Sequence, residues 1–161
     1  MFERFTKAAR EVVHTAVEIA GERGDPRIGT EHLLAGVAAT SSPAADVLVR
    51  MGAGSEQVRT AISDFDRFAL AAVGIDQDSI RLGPAGNEWL RRKRHIPFSQ
   101  AAKAVLEGSL EQALTMKHRS IGSEHILAAL TATGSEDPAR RILVGLGIDV
   151  ALLRREALTN R

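Results

Sequence analysis

Seven residues of this chain, Ile28-Gly29-Thr30-Glu31-His32-Leu33-Leu34, return as Ile121-Gly122-Ser123-Glu124-His125-Ile126-Leu127, displaced by 93 positions. The same offset carries Phe5 onto Phe98, Ala8-Ala9 onto Ala101-Ala102 and Val12 onto Val105. Residues 5–37 and 98–130 share 12 identities in 33 positions, with further apolar-for-apolar exchanges among the rest. Such a chain folds as two copies of one unit, each too short to bury its own apolar face alone. The expected organisation is repeat 1 over residues 1–65, an extended linker with room for short helices over 66–97, and repeat 2 over 98–161. The two repeats are expected to form one domain.

The periodicity inside the unit is helical. Phe5, Ala9, Val12, Val13, Ala16, Ile19 and Ala20 recur at three- and four-residue spacing, which gathers them on one helical face. Composition agrees: 44% of the 161 residues are apolar but only 4% aromatic, and abundant alanine favours closely packed helices over strands. A net charge of +1 gives no overall field for nucleic acid or an acidic membrane. The absence of cysteine removes disulfides, thiolate metal sites and cysteine nucleophiles, and suits a reducing interior. No run approaches the length of a membrane span, and Met1-Phe2-Glu3-Arg4-Phe5 lacks the order of a signal peptide. The expectation is a cytoplasmic protein without a membrane partner.

In chain order, helix 1 is expected over about residues 7–23, capped by Thr6 and stopped by Gly24-Asp25-Pro26. Helix 2 begins at the repeated motif and ends near Thr40. Ser42-Pro43 opens helix 3, which closes at Met51-Gly52, and Ser55 caps helix 4, which ends at about Phe65. The second copy repeats this order. Ser99 caps helix 5, which runs to about Lys117; helix 6 covers about 123–133; Asp137-Pro138 opens helix 7, and Asp149 caps helix 8. Beyond helix 6 the offset becomes 95, so the loop before helix 7 holds the extra residues. In the middle, Ala72-Val73-Gly74-Ile75-Asp76 echoes Gly145-Leu146-Gly147-Ile148-Asp149, and Gly83-Pro84-Ala85-Gly86 should be irregular.

Few residues carry chemistry. Glu31-His32 and Glu124-His125 are adjacent pairs, not the i, i+4 histidines of a helical zinc site. Each histidine reads as a packed or capping side chain, and each glutamate as a first-turn acid favoured by the helix dipole. No phosphate-binding glycine loop and no nucleophile elbow occurs, so neither catalytic residues nor a cofactor or metal is expected. Arg91-Arg92-Lys93-Arg94, beside Trp89, leaves a DNA-binding regulator as an alternative, though one short basic run gives little phosphate affinity.

The doubled motif, together with Met1-Phe2-Glu3-Arg4-Phe5-Thr6 and His95-Ile96-Pro97-Phe98-Ser99, resembles the N-terminal (Clp R) repeat domain of ClpC-type Hsp100 ATPases, the actinobacterial ones above all. The resemblance covers residues 1–65 and 95–158. It implies an all-α fold, a pseudo-two-fold pair of four-helix repeats. It further implies a non-catalytic receptor for substrate and adaptor proteins that feeds ClpC–ClpP proteolysis. Ending at Arg161 without ATPase rings, the chain is expected to act alone, as an adaptor, a decoy or a sink for antibiotics.

The same resemblance implies two sites. One binds phosphoarginine, with Glu31 and Thr6 in one set and Glu124 and Ser99 in the other. Ala8 and Ala101 stand where family members have arginine, which leaves each set one cation short. The other site takes cyclic-peptide antibiotics such as cyclomarin. It would use Phe2, Val13, His95, Phe98, Lys103 and Glu107, where the start of helix 1 meets the start of helix 5.

Overall fold

A computed structural model describes residues 2–74 and 95–159. The echo at Ile75-Asp76, the irregular stretch 83–86, Trp89 and the basic run 91–94 lie outside the described residues. Among those described are a 3-10 turn, Phe2–Arg4, and eight α-helices: α1 Lys7–Arg23, α2 Thr30–Ala39, α3 Pro43–Arg50, α4 Ser55–Ala72, α5 Gln100–Thr115, α6 Ser123–Thr131, α7 Pro138–Gly145 and α8 Val150–Thr159. The fold is all-α, as the repeat required. No helix among the described residues is long and apolar enough to cross a membrane.

Capping chemistry sets most of the helix ends. The side chains of Thr6, Ser42, Ser99 and Asp137 accept the N–H of Ala9, Ala45, Ala102 and Ala139, and Asp149 accepts that of Leu152. Helix α4 differs from expectation at both ends. Its N-cap is Gly54, and Ser55 is already helical. At the far end it continues past Phe65 to Ala72, because nothing between them breaks a helix until Gly74, at φ 78. The end of α1 uses Gly24 at φ 72, while the equivalent end of α5 places Lys117 in the same left-handed region at φ 58. Both turns close with one hydrogen bond at the same register, Asp25 N–H to Ala20 and His118 N–H to Ala113.

Packing follows the duplication. The long helix of each repeat lies against its own motif helix, α1 on α2 and α5 on α6, and the two motif helices also meet. The last helix of each repeat reaches across: α4 packs on α7, and α8 on α3. One continuous core results, with Leu33, Leu34, Leu48 and Ile62 from the first repeat and Ile126, Leu127, Leu143 and Leu153 from the second all fully buried. Each pair has a glycine at its contact, but close approach demands it only between α1 and α2. Gly36 of α2 abuts the backbone of α1 at Val12 and Ala16, and Gly108 of α5 faces Ala129 of α6.

Two short backbone pairings tie the repeats together. Phe5 pairs in parallel with Ile121, through Thr6 N–H to Ile121 O at 2.9 Å and Ile121 N–H to Arg4 O at 2.8 Å. Ile28 pairs with Phe98, through Ile28 N–H to Pro97 O and Ser99 N–H to Ile28 O, both 2.9 Å. An offset of 93 converts one pairing into the other, so they are mates across the pseudo-two-fold.

Candidate functional site

A Cβ on Gly29 would overlap the Glu31 carboxylate, which curls back over it, and Gly122 stands in the same relation to Glu124. Each carboxylate therefore sits at the positive end of its motif helix. Glu31 keeps 24% of its side chain exposed and Glu124 12%, so the first acid is the more accessible.

The motif histidines are fully buried and serve the helix start. Nδ1 of His32 accepts the Gly29 N–H at 2.8 Å, and Nδ1 of His125 accepts the Gly122 N–H at 2.8 Å. This is the reciprocal cap usually made by Glu or Gln at the third helical position. It fixes the ring proton on Nε2. In the first repeat that proton goes to Asp25 Oδ2 at 2.7 Å; in the second it goes to Nδ1 of His118 at 2.8 Å. Positions 25 and 118 are equivalent at the offset of 93, so an acid and an imidazole fill one role.

These partners differ electrostatically. Arg23 binds both Asp25 and Asp66. Burial pushes Asp25 up, but the hydrogen bonds from His32 and Arg23 outweigh it and hold the carboxyl below its ordinary value. Asp66 shares the same arginine and ends raised, because burial and the charge of Asp25 together exceed what Arg23 returns. Around the second motif, His118, Glu124 and His125 place ligand atoms within 4.8 Å of one another, close enough for a cation. The hydrogen bonds speak against one: with Gly122 on Nδ1 of His125, the Nε2 facing His118 carries a proton rather than a lone pair.

A further motif residue links the repeats. Thr30 donates to Asp137 Oδ1 at 2.7 Å and accepts the Ala139 N–H at 3.3 Å, joining the start of α2 to the start of α7. Its equivalent, Ser123, is buried with an unpartnered hydroxyl. The position matching Asp137 is Ser42, and the shorter side chain offers Ser123 no acceptor.

The predicted phosphoarginine residues come together, but crosswise. Helix α1 is ~25 Å long and α2 returns from its far end, so Thr6 and Glu31 stand at opposite ends of it. Thr6 instead adjoins Ile121, just before Glu124, and Ser99 adjoins Ile28, just before Glu31. The sets are therefore Thr6 with Glu124 and Ser99 with Glu31. Each notch takes a helix start from one repeat and a motif acid from the other.

The six residues assigned to cyclic-peptide binding are spread out. Phe2 is 48% exposed and meets Phe5 edge to face, with ring centroids 5.1 Å apart, at the start of α1. His95 is exposed and borders a hollow of about 200 Å³ with Gly21, Gly24 and Pro26, at the end of α1. The start of α5 thus meets the end of α1, not its start. Phe98 and Val13 are half-buried against the core, and Lys103 and Glu107 are exposed on α5.

Sequence reasoning passed over a hollow of about 570 Å³ between α4 and α7, floored by Phe65, Ile142 and Leu146. The signal was the continuing helix-forming run after Phe65, with a second phenylalanine at Phe68.

The profile of the Clp repeat (R) N-terminal domain matches residues 4–95 and 97–160. Over 159 residues the chain is 34% identical to the chloroplastic chaperone protein ClpC1 of Arabidopsis thaliana, and 33% identical to the ClpA homolog of Porphyra purpurea. These alignments cover 98% of this chain but 15% and 17% of those proteins, so it spans about one-sixth of their length. The N-terminal domain of ClpD from Arabidopsis thaliana superposes with a TM-score of 0.71 at 26% identity, covering 99% of this chain and 95% of that one. The Hsp104 N-terminal domain of Candida albicans shares the fold, with a TM-score of 0.65 at 20% identity, over 96% of this chain and 89% of that one.

Proposed function

The chain belongs to the Clp repeat (R) N-terminal domain family, and from that premise we propose that it is a non-catalytic receptor for protein segments, working with a ClpC-type chaperone and its peptidase. The observation that carries this reading is the pair of mated notches. In each, the N–H groups opening α1 or α5 stand beside a motif glutamate of the other repeat. A ligand that joins an anion to a cation, as phosphoarginine does, would direct its phosphate to the helix start and its guanidinium to the acid. With Ala8 and Ala101 supplying no cation, the helix start bears the anion in this chain. The Ser99–Glu31 notch should be the stronger, because Glu31 is the more exposed acid.

The test is calorimetric titration with a peptide carrying one phosphoarginine and with the same peptide unmodified. Selective binding that is lost in Glu31→Gln/Glu124→Gln supports the reading; equal binding of both peptides, or none, overturns the notch assignment. Modulation of proteolysis is checked separately, by adding the chain in excess to ClpC–ClpP degrading an arginine-phosphorylated client. Competition should slow degradation, and an unchanged rate would exclude that role. Sequestration of a cyclomarin-like peptide is the second reading, favoured by the half-exposed Phe2. Because Phe2 and His95 sit at opposite ends of α1, such a ligand would have to lie along that helix.

A further inference from the structure

The hollow between α4 and α7 owes its depth to a difference between the repeats. At the offset of 95, α8 ends where residue 64 would fall in α4, yet α4 continues to Ala72. Phe65 and Phe68 lie in that extension. Phe65 is half-buried beneath the Arg141 guanidinium, 5.3 Å from its ring centroid, while Phe68 is 78% exposed at the rim. Ile142 and Leu146 of α7 complete an apolar floor.

The charges around that floor are unequal. Glu56 and Asp64 stand on the α4 wall, in register with Thr60 and Phe68 at four-residue steps, and neither makes an ion pair among the described residues. On the α7 wall Arg141 is already engaged, by the Phe65 ring and by Glu136 at 3.8 Å. The stripe from Glu56 to Phe68 runs ~18 Å along α4, about the length of three helical turns. An apolar trough of that length, with one acidic wall, suits a short amphipathic helix laid in by its apolar face with basic residues along one edge.

We infer that this trough is a second docking site, for a basic amphipathic segment of a client or adaptor protein. The inference rests on the receptor reading but not on the notches, which lie at the starts of α1 and α5.

The probe is a short fluorescent peptide of leucine and lysine patterned as an amphipathic helix, compared with its twin bearing glutamate for lysine, both followed by anisotropy. The lysine peptide should bind about tenfold more tightly than its twin, Phe68→Ala should weaken it about tenfold, and Asp64→Lys should reverse the preference. Both positions are exposed, so unchanged thermal melts are expected for these variants. Glu31→Gln/Glu124→Gln should keep this binding while losing phosphoarginine, which separates the two sites. Equal binding of the twins, indifference to Phe68→Ala, or loss of the peptide in the notch variant would overturn the inference. So would a concentration-dependent dimer dissolved by Phe68→Ala, since the trough would then belong to a second copy of this chain.

Discussion

Replacing glycine by alanine in a helix interior stabilises it by about 0.8–1.0 kcal/mol from backbone entropy alone. Gly36 and Gly108 both lie inside helices, so propensity alone assigns them the same gain. Their surroundings separate them. A Cβ at Gly108 would meet the Ala129 Cβ at 3.5 Å, an ordinary contact. A Cβ at Gly36 would stand 2.5 Å from the Val12 carbonyl oxygen and 3.3 Å from the Ala16 nitrogen, and backbone cannot swing aside as a side chain can. Relieving it means parting α1 from α2, the most extensive packing in the first repeat. Overpacking costs about 1–3 kcal/mol, and a contact this short with fixed backbone belongs in the upper half of that range, so the propensity gain leaves a net loss of roughly 1–2 kcal/mol. Gly108→Ala should therefore raise the melting temperature by about 2–4 °C, and Gly36→Ala should lower it by about 2–8 °C. Urea and thermal unfolding followed by circular dichroism at 222 nm measure both. If the two substitutions move stability in the same direction, the close approach of α1 and α2 at Val12 is wrong.

The linking hydroxyl makes a second asymmetric pair. Thr30→Val removes a hydrogen bond to a carboxylate and one from Ala139, and should cost about 1–2 kcal/mol in urea unfolding, whereas Ser123→Ala removes an unpartnered buried hydroxyl and should leave stability equal or up to ~1 kcal/mol higher. Equal losses would mean that Ser123 has an acceptor. A third expectation concerns acid. The folded carboxyl of Asp25 is held below 3.8, so its contribution is complete above that value and disappears as pH falls through the lower folded one. Asp66 is shifted the opposite way, so its term favours the folded state below 3.8 and fades as pH rises through its raised folded value. In Asp25→Asn the urea midpoint should lose much of its decline below pH 3.8, and an unaltered acid limb would show that another carboxylate controls it.

Much of the fold was legible because the duplication supplied each helix twice. Five of the expected N-caps hold, since Thr6, Ser42, Ser99, Asp137 and Asp149 each precede a helix-forming run and have an oxygen to offer the first turn. The failure at α4 has a local cause. Ser55 has the hydroxyl that favours a cap, but Gly54 before it also opens a helix well. Its far end lies beyond the expected Phe65 because 66–72 contains no helix breaker. The buried role of His32 and His125 was within reach of sequence, as a packed or capping histidine. Their unlike partners, Asp25 and His118, were not, because only the folded turn brings position 25 back to position 32.

The exchange of notch partners is the deeper lesson of the duplication. A repeat reveals which residues are equivalent, not which copy of each residue meets which. Thr6 could in principle join Glu31 or Glu124, and sequence offset treats both alike. Helix length decides. Seventeen residues in α1 carry the chain ~25 Å before it turns back into α2, so Thr6 cannot close on the acid of its own repeat. Only the other copy brings a motif to that end, and the Phe5–Ile121 pairing shows that it does. The number needed for this argument was in the sequence as soon as helix 1 was assigned to about residues 7–23. It follows that neither repeat holds a complete notch by itself. A single repeat would lack the opposing helix start and would also expose core residues that both copies bury. Affinity for a phosphoarginine peptide should therefore depend on the two repeats being assembled, with each notch reporting on residues from both.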